Sequence, residues 1–273
     1  MSQLENTLGL IAGKGTYPQW VIREARAAGV VRVVMVAFEG ETDPDVAARA
    51  DEVVWIRVGQ LGRLIRELRG RGVERAMMAG QITPGRLFDL RPDWKALTVL
   101  LKLKRRNAET LFGAVADALE EAGVTLLPAT SYLEGFVAGM GRLAGPRPDR
   151  QLRWDVETGW PVLQAVSAMD VGQCVVVKKG TILAVEGYDG TNATIRRGGE
   201  LGRGGATLCK GSKARQDPRF DVPVVGLDTM RVCLEAGVKR VVVETGRTLI
   251  LDIERVREYC DRNGLMLWGH QVK

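Results

Sequence analysis

The chain has 273 residues, 45% of them apolar and 26% charged, with a formal net charge of +6 at neutral pH. That length exceeds the usual size of one hydrophobic core, so two domains are expected, and the apolar content excludes general disorder. No run approaches the roughly 20 apolar residues of a membrane-spanning helix, and Met1-Ser2-Gln3-Leu4-Glu5-Asn6 lacks the basic and apolar regions of an export signal, so a soluble, cytoplasmic protein is expected.

Through the first half, apolar runs alternate with amphipathic segments: Thr7 to Ala12, Trp20 to Ala28, Val31 to Phe38, Glu52 to Val58, Leu61 to Arg69 and Val73 to Ala79. This is a β-α-β rhythm. Val31 to Val36 and Val53 to Ile56 are β-branched and apolar on both faces, as strands inside a helix-covered parallel sheet must be, so the fold class is α/β with a Rossmann-like N-terminal domain. Helical spacing through Leu97, Leu100, Leu101, Leu111, Val115 and Leu119 predicts one or two helices between Leu87 and Glu121, after a loop-like Arg91-Pro92-Asp93.

Gly145-Pro146-Arg147-Pro148 is the strongest linker signal, which puts the boundary between about Leu133 and Asp149: an N-terminal domain over 1–140 and a mixed α/β C-terminal domain over 149–273, the latter carrying the charged loop described below. A helix is expected over Val156 to Ala168. A β-hairpin is expected from Gln173 to Lys178 and Thr181 to Gly187 around Lys179-Gly180. Strands follow at Ala206 to Cys209 and Val241 to Glu244. Helices follow at Leu227 to Glu235 and Ile253 to Arg262, the last stopped by Asn263-Gly264.

The positive charge suits an anionic partner: nucleic acid, a phosphorylated metabolite or an anionic bilayer surface. With 5% aromatic residues and no recognised nucleic-acid motif, no nucleic-acid partner is expected. Cys174, Cys209, Cys233 and Cys260 lie far apart and read as core thiols. The single histidine, His270, reads as a surface residue near the C-terminus, which leaves carboxylates, lysines and a bound metal as the chemical groups.

Several constellations can carry chemistry. Gly13-Lys14-Gly15 joins a strand to a helix whose first turn holds Pro18; it is either a plain tight turn or a phosphate-touching loop. A dinucleotide-binding reading would use Gly13 and Gly15 for pyrophosphate and Glu39 for ribose, but Pro18 stands where the third glycine belongs. Gly80 and Gln81 end a predicted strand, at the sheet edge where ligands collect, although close packing explains Gly80 equally well. Asp170 and Gln173 are turn formers or ligand contacts. In Asp189-Gly190-Thr191-Asn192, Thr191 is a candidate cap for a helix carrying Arg196 and Arg197. The densest cluster, Lys210 to Asp221, sets Lys210, Lys213, Arg215 and Arg219 against Asp217 and Asp221. Such cations neutralise phosphate oxygens and such carboxylates hold a hydrated Mg²⁺; a solvated loop of paired charges is the plain alternative.

Gly9 to Gly15, Ala79-Gly80-Gln81-Ile82, Asp170-Val171-Gly172-Gln173, Leu183 to Thr191 and Gln216-Asp217-Pro218-Arg219-Phe220-Asp221-Val222-Pro223, taken in order, resemble the LpxI-type UDP-2,3-diacylglucosamine pyrophosphatases over nearly the whole chain. The resemblance implies Mg²⁺-dependent hydrolysis in lipid A biosynthesis, with water attacking the α-phosphorus to give UMP and 2,3-diacylglucosamine 1-phosphate (lipid X), and two domains with the substrate between them. It implies metal binding and water activation by Asp217 and Asp221, and stabilisation of pentavalent phosphorus by Lys210, Lys213 and Arg219. Gly13, Gly15, Gly80, Gln81, Asp170, Gln173, Thr191, Asn192 and Lys210 are the expected substrate contacts, with Glu186 a further candidate. One departure stands out: the family usually reads Glu-Gly-Thr-Asp where this chain has Asp189-Gly190-Thr191-Asn192, so an amide replaces a carboxylate. The substrate's acyl chains imply transient contact with the inner-membrane surface, and a homodimer is compatible with the resemblance. The rivals are a non-catalytic protein that binds an acylated nucleotide sugar and a nucleotide-dependent oxidoreductase.

Overall fold

The computed structural model describes residues 6–83, 92–103, 108–213 and 217–272, without the side chains of 108 and 109. The chain folds into two compact units, Met1–Leu133 with Asp217–Asp221, and Glu134–Gln216 with Val222–Lys273.

In chain order the first unit contains β1 (Thr7–Ala12), α1 (Tyr17–Ala27), β2 (Arg32–Phe38), α2 (Pro44–Ala47), β3 (Glu52–Ile56), α3 (Leu61–Gly70), β4 (Arg75–Ala79), α4 (Trp94–Lys102), α5 (Ala108–Glu121) and β5 (Thr125–Leu126). The strands form one parallel sheet in the order β3-β2-β1-β4-β5. All six residues of β1 are buried, as a central strand covered on both faces requires. The strand order reverses between β1 and β4, the switch point where open α/β sheets collect ligands. The expected long helical stretch is two helices; its first residues, from Leu87 to Arg91, lie outside the described residues. Asp93 starts α4 by accepting the Ala96 amide at 2.9 Å, and its other oxygen takes the amides of Gly62 (2.7 Å) and Arg63 (3.2 Å) at the start of α3.

The second unit contains β6 (Gly141–Ala144), α6 (Arg150–Ala168), β7 (Cys174–Lys178), β8 (Thr181–Val185), α7 (Gly190–Gly202), β9 (Ala206–Lys210), β10 (Val224–Val225), α8 (Leu227–Glu235), β11 (Val238–Glu244), β12 (Leu249–Ile250), α9 (Ile253–Asn263) and β13 (Met266–His270). Its main sheet runs β6-β13-β11-β9-β7-β8, with β9, β11 and β13 parallel and antiparallel pairing elsewhere. Alternation along β7 separates two cores: Val175 and Val177 pack with Trp160 and Leu163 of α6, while Cys174 and Val176 pack with Ile195, Met230 and Val256 of α7, α8 and α9. The hairpin turn has Lys179 and Gly180 both at positive φ, 49° and 73°, as a tight two-residue connection demands. Asp155, fully buried, accepts the Gly180 amide at 3.0 Å and the Thr207 hydroxyl at 2.6 Å, tying α6 to the hairpin and to β9.

Three features differ from the sequence expectations. Gly145 to Pro148 lie inside the second unit, between β6 and α6, where the Gly145 amide donates to Asp261 at 2.7 Å. Helix α6 begins at Arg150, six residues early, because Asp149 caps it through the Leu152 amide at 2.9 Å. Asp217–Asp221, expected with the C-terminal domain, pack with the first unit: Pro218 O accepts the Ala129 amide at 2.7 Å, and Phe220 meets Phe112 with ring centroids 5.8 Å apart.

Candidate functional site

The parallel strands β9, β11 and β13 of the second unit end with Lys210, Glu244 and His270, and the same sheet edge receives Gln173 before β7 and Glu186 after β8. Three charged side chains are buried there: Lys210 at 3% exposure, Glu186 at 7% and Glu244 at 7%. Buried charges persist only where hydrogen bonds and counter-charges compensate them. Glu186 accepts the Gln173 amide at 2.9 Å and the Thr191 hydroxyl at 2.8 Å, and the Lys210 ammonium donates to that hydroxyl at 3.2 Å. Thr191 thus links an acid to a cation.

Beyond Lys210 the chain turns across the sheet edge. The Gly211 amide donates to Gln173 O at 3.1 Å, the Ser212 amide donates to Glu244 Oε2 at 2.7 Å, and the Ser212 hydroxyl donates to the same oxygen. Lys213 Nζ then reaches Asp170 Oδ1 at 2.6 Å. Asp170 itself sits at φ 57°, in the left-handed region that aspartate tolerates better than most residues. Gln173 Oε1 is buried with no hydrogen-bond partner among the described residues. A cavity of about 420 Å³ opens beside the turn, lined by Trp160, Leu163, Ser212, Glu244 and Arg247 among others. His270, expected to be a surface residue, is half-buried and packs edge-on against Trp160 at 4.6 Å; burial pushes its imidazole below the ordinary value, and Glu244 opposes the shift.

The structure gathers Asp170, Gln173, Glu186, Thr191, Lys210 and Lys213 at this edge, with Asn192 exposed one residue beyond Thr191. Thr191 is not the helix cap: Asp189 holds that position and pairs with Arg197, which frees the Thr191 hydroxyl for Glu186. The sequence reading missed Glu244 and Ser212. Their signal was faint, an acid ending an apolar strand and a serine between two lysines. Arg215 lies outside the described residues.

At the switch point of the first unit the arrangement is different. Gly13 N donates to Ala79 O at 2.8 Å, Lys14 N to Gln81 O at 2.7 Å and Gln81 N back to Lys14 O at 3.1 Å, so the two loops pair backbone to backbone. A Cβ on Gly13 would stand 2.5 Å from Gln81 O, and one on Gly80, at φ 94°, 2.8 Å from Gly13 C. Close packing therefore accounts for both glycines. The Gly13 and Lys14 amides are engaged, and Gly15, exposed at φ 95°, has open space around it. Glu39, the ribose candidate, pairs with Arg57 at 3.1 Å.

In the segment that packs with this unit, both Asp217 oxygens accept from Arg219, with Nη2 at 2.7 Å from Oδ2 and the amide at 2.9 Å from Oδ1. The Arg219 guanidinium holds the Asp217 carboxyl below the usual carboxylate range. Arg219 also lies 3.6 Å from Asp117. Hard oxygen donors such as Asp217 and Asp221 suit Mg²⁺, which commonly takes one or two carboxylates and completes its shell with substrate phosphates and water. Among the described residues no cluster of three or more His, Cys, Asp or Glu side chains could hold a metal, and none shows an ion pair to Asp221. Arg219 already engages both oxygens of Asp217, so of the two carboxylates Asp221 is the less committed.

All four cysteines are buried and unbridged, and burial raises their thiols, so they are core thiols. No helix among the described residues is long and apolar enough to cross a membrane.

Fold and site together define a two-unit α/β protein whose buried charges gather at the carboxyl edge of one sheet. The comparisons sharpen that class. A family model described as the LpxI N-terminal domain matches residues 7–136 and one described as the LpxI C-terminal domain matches residues 139–268, so the chain belongs to the LpxI family. A Caulobacter vibrioides protein named UDP-2,3-diacylglucosamine pyrophosphatase LpxI is 32% identical over 275 residues, covering 96% of each chain. Among solved structures, the biotin carboxylase domain of a thermophilic 2-oxoglutarate carboxylase is similar at TM-score 0.27 and 20% identity, over 62% of this chain and 34% of that one. The biotin carboxylase subunit of a pyruvate carboxylase follows at TM-score 0.28 and 15% identity, over 67% and 38%. Likenesses that loose carry no argument about fold or function.

Proposed function

We propose that the protein hydrolyses the pyrophosphate of UDP-2,3-diacylglucosamine in lipid A biosynthesis, giving UMP and 2,3-diacylglucosamine 1-phosphate. The observation that carries this reading is identity of 32%, end to end, with a relative of that name. The buried Lys210, held by Thr191 at a sheet edge, supports it from the side of chemistry.

In this reading a water oxygen bonds to the α-phosphorus, the bond from that phosphorus to the bridging oxygen breaks, and the bridging oxygen leaves with the sugar phosphate. The Lys210 ammonium donates to Thr191 and that of Lys213 to Asp170, which holds both cations in place to meet phosphate oxygens. Charge that grows on phosphorus rewards cations already held in place. Asp217 and Asp221 are the proposed Mg²⁺ ligands, and one of them takes the attacking water's proton; Arg219 orients Asp217 and supplies positive charge. Mg²⁺, when bound, would polarise the phosphoryl group and lower the pKa of a coordinated water. Gly13, Gly15, Gly80, Gln81, Asp170, Gln173, Thr191 and Asn192 are proposed substrate contacts. The acyl chains bring the protein into transient contact with a bilayer surface, aided by its net charge of +6.

The test incubates purified protein with the substrate and Mg²⁺ in detergent, with and without chelator, beside an Asp217→Ala variant. UMP release that chelation and the variant both abolish is expected. Tight binding of the substrate without turnover would overturn the hydrolase reading in favour of a sequestering protein.

A further inference from the structure

Helix α4 has two unlike faces. Ala96 is buried and Val99 packs on the core of the first unit, yet Trp94, Leu97 and Leu101 are exposed by 80%, 38% and 71%. At 3.6 residues per turn these three fall within about 60° of arc, one continuous apolar stripe. Lys95 and Lys102, also one register apart, lie beside the stripe, and the nine residues of the helix include no acid. Among the described residues Lys95 has only the exposed Glu121 within ion-pair range, at 3.9 Å, a contact that contributes little. Asp93, the nearest acid in sequence, is occupied by capping α3 and α4.

Large apolar side chains left in water on a helix whose other face is already packed mark an interaction surface. Its chemistry selects the partner. A tryptophan at the helix start, leucines along one stripe and lysines on the flank are the composition of helices that lie in the plane of a bilayer, the indole at headgroup depth and the ammoniums against anionic lipid. We propose that α4 docks the first unit on an anionic bilayer surface, with Trp94, Leu97 and Leu101 entering the headgroup region and Lys95 and Lys102 meeting lipid phosphates. The proposal rests on the reading of a diacylated substrate, for which it names the surface that meets the membrane.

The test is co-sedimentation of the full chain with vesicles of equal parts phosphatidylcholine and phosphatidylglycerol, beside pure phosphatidylcholine. Binding to the anionic vesicles that weakens with salt is expected, with a partition coefficient about tenfold lower in Leu97→Ser/Leu101→Ser. Lys95→Gln/Lys102→Gln is expected to erase most of the preference for anionic vesicles. Both variants change exposed side chains, and thermal melting checks that they fold. Wild-type binding by the double serine variant overturns the proposal. So does a wild-type dimer that the serine changes dissociate without any vesicle binding, which would make the stripe a self-association face. UMP release from detergent-dispersed substrate should be unchanged in both variants; its absence in the wild type, with vesicle binding intact, would defeat the hydrolase reading and leave the docking surface standing.

Discussion

The two units use the carboxyl edges of their sheets in opposite ways. In the first, the loops after β1 and β4 pair through backbone, and Gly13 and Gly80 leave no room for a side chain. In the second, Lys210, Glu186 and Glu244 are buried at the edge and hold one another's neighbourhoods through Thr191 and Ser212. One edge is built of packing and tolerates no added atom. The other is built of compensated charge and tolerates changes of shape better than changes of hydrogen bonding.

That contrast can be broken most forcefully at Gly80. Its φ of 94° and the 2.8 Å approach of a Cβ to Gly13 C make Gly80→Ala strained in two ways. A loss of about 2–4 kcal/mol in urea unfolding is expected. A loss below about 0.5 kcal/mol, within the usual effect of a surface substitution, would show that the two loops yield easily. At the charged edge, Lys210→Met keeps the volume and removes the cation, so stability should drop while UMP release per folded molecule falls about 100-fold. An unchanged rate in steady-state kinetics would remove Lys210 from the chemistry.

Thr191→Val separates the acid from the cation without opening space. Breaking the link at Thr191 should cost about 1 kcal/mol and lower turnover more than it raises KM, since the substitution loosens Lys210 without removing it. A change in KM alone would mean that Thr191 only binds. The smallest effect concerns pH. Burial depresses the His270 imidazole, so the unfolded chain takes up a proton first as pH falls. The stability that neutral His270 contributes is present above about pH 6.5, the ordinary histidine value, and is lost as pH falls below it. His270→Gln should flatten the stability profile between pH 7 and 5; an equal slope in both proteins would place the acid sensitivity elsewhere.

Sequence periodicity located the elements well where burial imposed it. The β-branched run of β2 and the apolar run of β1 were legible because both faces of a central parallel strand must be apolar. The hairpin was legible from Lys179-Gly180, and the end of α9 from Gly264 at φ 61°. The charged edge was legible only in part. Lys210 and Lys213 stand in a dense run of charge, whereas Glu244 becomes their neighbour only because β9 and β11 pair in parallel, a relation that local pattern does not contain. Nor could local pattern show that Phe220 packs with the first unit beside Phe112 and carries Asp217 and Asp221 with it, since a single phenylalanine in a charged loop has no period.

The most direct test of the account is hydrolysis in oxygen-18 water followed by mass spectrometry of both products. Attack on the α-phosphorus predicts one heavy oxygen in UMP and none in the acylated sugar phosphate. Label in the sugar phosphate, or no product from well-folded protein that binds the substrate, would contradict it.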